Sequence, residues 1–483
     1  MTAQNRADAS ATRPSAGAST PHVGSFGATE DGLARALVAT HGDELRFCPE
    51  RGRWLVWTGC RWRWDDAEYH RELIRALIRS LPQRGAWRTF RTKSLTAGSV
   101  SGVARLARTD PAVTVRLADL DARPYELNTP GGIVDLRTGE LIPSDPARLH
   151  TRCTTVTPDF EGTSQPWQQF LAETFGEDTD LAGYVQRLLG VSAVGAVLEQ
   201  LLPFAHGSGA NGKSTLLEAA MHALGRGPDG YAIAGSSEML MVRKHQDHPA
   251  ELAQLSGARL VVCSELDDGQ RFAEARVKLL TGRDSVPARF MRRDWFTFQP
   301  THTLWLMGNH TPDARAGGPA FWRRVRLLPF SRAVPPERQD RQLGERLAED
   351  APVVLAWIIA GAVAYHGGGL AEPVSVRTAT AAYERDQDTV GRFVEESCHV
   401  APDQPLVKVA TAALRDAYEH WCAEAGETPV SAKRLTQQLR DRHRVRDAKG
   451  AKGRRYYHGI ALAADPTEQT PELPAEDPPQ LWQ

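Results

Sequence analysis

The sequence predicts an α/β fold, and three stretches carry that expectation. The apolar segment Leu201, Leu202, Pro203, Phe204, Ala205 reads as a buried strand. A glycine-rich turn follows, and residues 216–224, apolar at helical spacing and stopped by Gly225, read as a helix. Two further apolar runs, residues 259–265 and 303–310, read as buried strands whose ends carry Glu265 and Asn309.

The turn consists of Gly207, Ser208, Gly209, Ala210, Asn211, Gly212, Lys213, Ser214 and Thr215. It fits G-x-x-x-x-G-K-[ST], the pattern of a loop that cradles phosphates. Glycines let successive backbone N–H groups point inward at a polyphosphate, and the helix N-terminus adds partial positive charge. Lys213 would reach the β- and γ-phosphates of a nucleoside triphosphate, and the Ser214 hydroxyl would hold Mg²⁺. A chance glycine turn is the alternative, and the flanking strand and helix argue against it.

Glu265, delivered by a buried strand, suits a second magnesium ligand that also orients or deprotonates the attacking water. Asn309, at the next strand tip, can hydrogen-bond the terminal phosphate or that water. Either residue alone would also fit a solvated strand end. Residues 285–298 alternate apolar positions around a charged turn at Arg292, Arg293 and Asp294, which reads as a β-hairpin. Basic residues on a protruding tip suit phosphate-backbone contact, though an isolated hairpin would read as a solvated turn. Residues 320–330 set Arg323, Arg324 and Arg326 in an apolar frame. An arginine there can neutralise charge at a nucleotide across a subunit boundary, or simply face water.

Composition bounds the rest. A chain of 483 residues holds several domains, and its net charge of −1 gives no global polyanion-binding signature, so any nucleic-acid site is local. The six cysteines contain no C-x-x-C pair and read as reduced thiols of a cytoplasmic protein rather than a zinc site. Residues 355–364 are the most apolar stretch, too short to span a bilayer and better read as a buried helix.

In chain order, residues 1–31 are rich in Ala, Ser and Thr and read as disordered. Residues 32–155 form a mixed domain whose Trp54, Trp57, Trp62 and Trp64 alternate with basic residues; core packing suits most of them better than base stacking. Residues 156–335 hold leading helices and the nucleotide core, and 336–400 a helical lid or collar. Residues 401–463 form a small domain in which two basic strand candidates bracket a Gly/Lys turn, as a wing would. From Ser431 to Ile460 ten Lys/Arg face two Asp/Glu, a local charge of about +8 that suits DNA contact through Lys433, Arg434, Arg454 and Arg455. A solvated basic face is the alternative. The acidic, Pro-rich tail 464–483 reads as disordered.

The order of these motifs resembles a superfamily 3 helicase of the phage/plasmid primase–helicase family, related to poxvirus primase-helicases. The stretches that carry the resemblance are 207–215, 248–253, 259–265, 278–284, 289–298, 304–312 and 322–330; 53–59 and 129–141 resemble the domain that precedes such motors. The resemblance implies an AAA+-like P-loop core, ATP hydrolysis with Mg²⁺, a homo-hexameric ring and hairpins lining a DNA channel, while the C-terminal residues themselves read as a winged-helix-like domain. The resemblance also implies Walker A roles for Lys213 and Ser214, the Walker B acid at Glu265 and sensor 1 at Asn309. Arg323 or Arg324 would be the arginine finger, and Lys278, Arg292 and Arg293 the channel contacts. One departure is Ser264, which stands where many such motors have a second acid. The function expected is an ATP-driven DNA helicase of a mobile element or phage, working with a separate primase or initiator. An origin-melting ATPase and a regulatory or defence ATPase are the other readings.

Overall fold

The computed structural model describes residues 23–463 except 244–248, 265–268, 291–293, 315–317, 405 and 450–453. Its centre is a five-stranded sheet in the spatial order Val325–Pro329, Leu202–His206, Thr303–Gly308, Leu260–Ser264, Ala232–Ser236, every neighbouring pair parallel. Leu202, Phe204, Val261, Leu304 and Leu306 bury on one face of this sheet. Ala205, Leu260, Val262, Trp305 and Leu328 bury on the other, with the helix Lys213–Leu224. Burial on both faces is why these strands read as unbroken apolar runs rather than alternating ones.

Trp305 donates from its indole nitrogen to the Ser192 hydroxyl at 2.9 Å, fixing the helix Thr179–Ser192 over the sheet. That helix packs on a second one, Ala351–Gly368. The apolar run expected at 355–364 thus continues to 18 residues, long and apolar enough by composition to cross a membrane. Val354, Leu355, Ile358 and Ile359 bury in the main core. The two helices meet backbone to backbone: a Cβ on Gly190 would lie 2.1 Å from the Ala362 nitrogen, and one on Gly361 2.1 Å from the Gln186 carbonyl oxygen.

The N-terminal part has its own core. Leu33, Leu37, Leu45, Ile74, Ile78 and Val103 pack the helices Glu30–His41, Tyr69–Ser80 and Ala97–Ala107 onto an antiparallel sheet of Leu45–Cys48, Arg53–Trp57 and Trp62–Trp64. Trp54 and Trp62 are buried, so they serve packing. The expectation of disorder up to residue 31 is corrected at its end. The Thr29 hydroxyl caps Gly32 N at 2.9 Å and starts a helix at Glu30. Residues 1–22 and 464–483 lie outside the described residues.

The border expected at 155 falls inside a single packed core. Leu127, Val134 and Leu136, from the antiparallel strands Glu126–Thr129 and Gly132–Asp135 and the turn after them, bury with Tyr184, Leu201 and Ala205. Arg259, 3% exposed, ties this join: it donates to the Ala193 carbonyl at 2.8 Å and the Glu126 carbonyl at 2.9 Å, and lies 4.3 Å over the Tyr231 ring. At the other end, the helix Thr389–Ser397 belongs to the C-terminal unit, because Val390, Phe393 and Val394 pack against Leu414, Tyr418, Leu435 and Tyr457. That unit continues through Lys408–Ala410, helices Thr411–Glu424 and Ala432–His443, Arg446–Lys449 and Arg455–His458. Its antiparallel sheet has the last of these strands in the middle.

Candidate active site

In a parallel sheet all strand C-termini share one edge. Here that edge carries His206, Ser236, Ser264, Gly308 and Pro329. The glycine loop leaves it directly after His206 and enters the helix Lys213–Leu224. Side chains are excluded from the loop where backbone must approach. A Cβ on Gly207 would lie 2.1 Å from Asn211 Nδ2 and 2.2 Å from the Phe330 carbonyl oxygen. Gly212 has φ +81°, and a Cβ there would meet Thr174 Oγ1 at 2.6 Å.

Lys213 is 4% exposed. Its ammonium donates to the Gly207 carbonyl at 2.8 Å and to Asn211 Oδ1 at 2.7 Å, so both acceptors come from the loop itself. Burial pulls the Lys213 amine below its ordinary range. The Ser214 side chain is exposed, with its oxygen 3.4 Å from Met307 Sδ, a weak partner that leaves it open to a stronger one. A cleft of 470 Å³ starts at Ser214 and Thr215 and runs along the helix past Glu218, His222 and Arg226 to Leu347.

Asn309 follows the strand Thr303–Gly308, immediately beside the glycine-loop strand. Its backbone bonds the His206 ring, whose imidazole burial holds below its ordinary range. His206 is a site residue that sequence reasoning missed: a lone histidine at a strand end carries no motif. Glu265 lies outside the described residues, as do Arg292, Arg293 and His248. The strand leading to Glu265, Leu260–Ser264, ends on the same edge.

Arg323 and Arg324 part company after the short helix Pro319–Trp322. Arg323 is exposed. Arg324 is 7% exposed and donates to the Ala320 carbonyl and to Gln200 Oε1, the latter at 3.2 Å. Burial, then the neighbouring Arg323, pulls its guanidinium below the ordinary value.

The hairpin expected at 285–298 is present as Val286–Ala288 paired antiparallel with Phe296–Phe298. Lys278 sits on the helix Glu274–Leu280 before it. Burial pushes the Glu274 carboxyl up, against the opposing pull of the positive charges on Lys278, Arg434 and Arg271. Lys433, Arg454 and Arg455 are exposed. Arg440 pairs with Asp447, and Arg442 with Asp388, so part of the local charge is neutralised within the chain. Among the described residues no cluster of three or more His, Cys, Asp or Glu is arranged to hold a metal, and all six cysteines are free.

Residues 34–176 match the family described as D5 N terminal like, and residues 205–324 match a family of unknown function. A protein of Acanthamoeba polyphaga mimivirus bearing the name "Putative helicase" is 26% identical over 218 residues, 44% of this chain and 22% of the relative. One of the same name from Frog virus 3 (isolate Goorha) is 26% identical over 269 residues, 51% of this chain and 27% of the relative. The matches thus span about a quarter of the curated relatives' own length. Among solved structures, an apo form of the NrS-1 C terminal region is 12% identical with a TM-score of 0.48, covering 88% of this chain and 98% of that one.

Proposed function

We propose that this chain is an ATP-dependent DNA helicase of a phage, plasmid or integrated mobile element, acting as a ring of identical subunits. The observation that carries the reading is the glycine loop on the C-terminal edge of a parallel sheet. It buries the Lys213 ammonium against loop carbonyls, one strand away from Asn309. That edge of an α/β sheet is where such folds hold ligands.

The site suits a nucleoside triphosphate. Gly207 and Gly212 exclude side chains, the helix N-terminus presents N–H groups, and Lys213 exchanges two loop acceptors for phosphate oxygens. Magnesium, when bound to Ser214 and Glu265, supplies charge neutralisation on the phosphates. Glu265 orients the attacking water and takes its proton, Asn309 fixes the terminal phosphate, and His206 holds the Asn309 backbone in place. Arg323, exposed where Arg324 is tied down, reaches the neighbouring subunit's nucleotide and neutralises charge in the transition state. Arg292 and Arg293, which the sequence places between the two hairpin strands, and Lys278, on the helix before them, grip the DNA strand through phosphates.

The C-terminal unit supports a winged-helix reading: two helices precede a strand pair whose second strand starts at Arg455, directly after Arg454. Those exposed cations favour a second reading, an ATPase that holds duplex and melts an origin without processive unwinding. The test is ATP hydrolysis with and without DNA, together with strand displacement on a long forked duplex. DNA-stimulated turnover with displacement supports the helicase. Turnover with local melting alone supports the second reading, and absence of DNA stimulation overturns both.

A further inference from the structure

The hairpin has two unlike faces. On one, Val286 and Ala288 are buried, and Phe290 stacks on Phe296 with ring centroids 5.4 Å apart and planes 15° from parallel. Phe296 and Phe298 pack against the core beneath. The inner face is therefore spent on folding along the paired strands, and only Phe290 at its outer end is exposed, covered on one side by Phe296. On the other side Trp295 is 59% exposed, and the Arg289 guanidinium lies 5.1 Å from its ring centroid. Packing does not account for an indole presented to water at this place.

The surroundings say what would cover it. Between residues 289 and 294 the sequence carries Arg289, Arg292 and Arg293 against Asp294 alone, so the occupant is anionic. A guanidinium on one side of the indole leaves the other side for a flat partner. The chemistry that is at once flat and polyanionic is unpaired nucleic acid, whose bases stack on aromatic rings while its phosphates meet arginines.

We propose that Trp295, backed by Arg289, is a stacking platform for an unpaired base of the strand held at the hairpin. This rests on the DNA-binding reading above. It adds a base contact to the phosphate contacts assigned there, and makes the grip selective for single strands, because paired bases hide their faces in a duplex.

The experiment measures binding of a single-stranded oligothymidylate and a length-matched abasic strand across a salt series, for wild type, Trp295→Ala and Trp295→Phe. The side chain is exposed, and circular dichroism checks that each variant folds. Wild type should bind the thymidylate about tenfold or more tightly than the abasic strand, the usual range for one stacked base. Trp295→Ala should lose that preference and keep the salt slope, while Trp295→Phe should retain most of it. If wild type binds both strands equally, or Trp295→Ala keeps the preference, the platform is refuted while DNA binding stands. If Trp295→Ala keeps the preference but changes the sedimentation of the protein, the ring belongs to a contact between copies and the proposal falls. If neither strand binds, the DNA reading itself fails with it.

Discussion

Asn211 links the lysine of the glycine loop to Phe330, the residue that follows the edge strand Val325–Pro329. Its Oδ1 accepts from Lys213 Nζ at 2.7 Å, and its Nδ2 donates to the Phe330 carbonyl at 2.7 Å. Lys213→Ala should abolish ATP hydrolysis while leaving the fold intact, since the donor lost to Gly207 and Asn211 is offset by removing a buried charge. Asn211→Ala should in addition lower stability by about 1–3 kcal/mol, because the buried Phe330 carbonyl loses its donor. Thermal denaturation alongside steady-state hydrolysis separates the two; a well-folded Lys213→Ala with near-normal turnover would sink the nucleotide-site assignment.

Arg323→Ala and Arg324→Ala should differ in kind. The first should cut hydrolysis on the order of a thousandfold or more, as loss of a finger does, with little change in melting. The second removes the donor to Gln200 and should register mainly as lost stability. Mixing Arg323→Ala subunits with Lys213→Ala subunits should restore part of the activity, since some interfaces then combine two intact halves. Mixed rings shown to form, yet inactive, would exclude action across the interface.

Arg292→Ala/Arg293→Ala should block strand displacement while basal hydrolysis largely survives. Lys433→Ala/Arg454→Ala/Arg455→Ala should instead weaken duplex binding. Its salt dependence should flatten by about 0.9 in log–log slope for each phosphate no longer neutralised. Substitution is preferable to cutting at residue 403, which would strip Leu414 and Tyr418 from Val390 and Phe393. Unchanged duplex binding across the salt series would make the C-terminal charge a solvated face.

His302 predicts a pH effect on stability rather than on chemistry. It is 1% exposed, its Nε2 pairs with the Leu280 carbonyl at 3.1 Å, and its Nδ1 has no partner. A carbonyl only accepts, so the proton sits on Nε2 and a second one on Nδ1 would be buried unpaired. Burial accordingly holds the pKa down to about 4. The unfolded chain takes up this proton near pH 6.5 and the folded one does not. The stability is therefore fully present above about pH 6.5 and drains away as pH falls toward 4, by roughly 3 kcal/mol over the window. Denaturant midpoints of His302→Gln should fall less steeply from pH 7 to 5 than those of wild type; parallel curves would refute the assignment.

The glycine loop was legible because its chemistry needs fixed residues at fixed spacing, and the hairpin because apolar positions alternate around a charged turn. Strand order was not legible. Nothing in residues 303–308 says that they insert between the glycine-loop strand and Leu260–Ser264, since periodicity reports burial and not neighbours. Arg323 and Arg324 are indistinguishable in sequence, and only the short helix before them turns one outward and the other toward Gln200. The join at Glu126–Asp135 was hidden too, because the strand Glu126–Thr129 buries the polar Asn128 and Thr129 beside Leu127 and so carries no apolar run.

Arg259 has a mechanical consequence. Any shear between the strand Glu126–Thr129 and the central sheet must pull its guanidinium off the Glu126 carbonyl, and the Asn128 N–H off the Tyr231 hydroxyl, while water stays excluded. That penalty makes the join stiff, so residues 126–135 move with the central sheet rather than against it. Compliance is left to places with separate cores, such as the step from Val103 and its neighbours to Leu127. The strands at 126–142 then belong mechanically to the block that carries the glycine loop, and the helices and sheet before them form a second block with a core of its own.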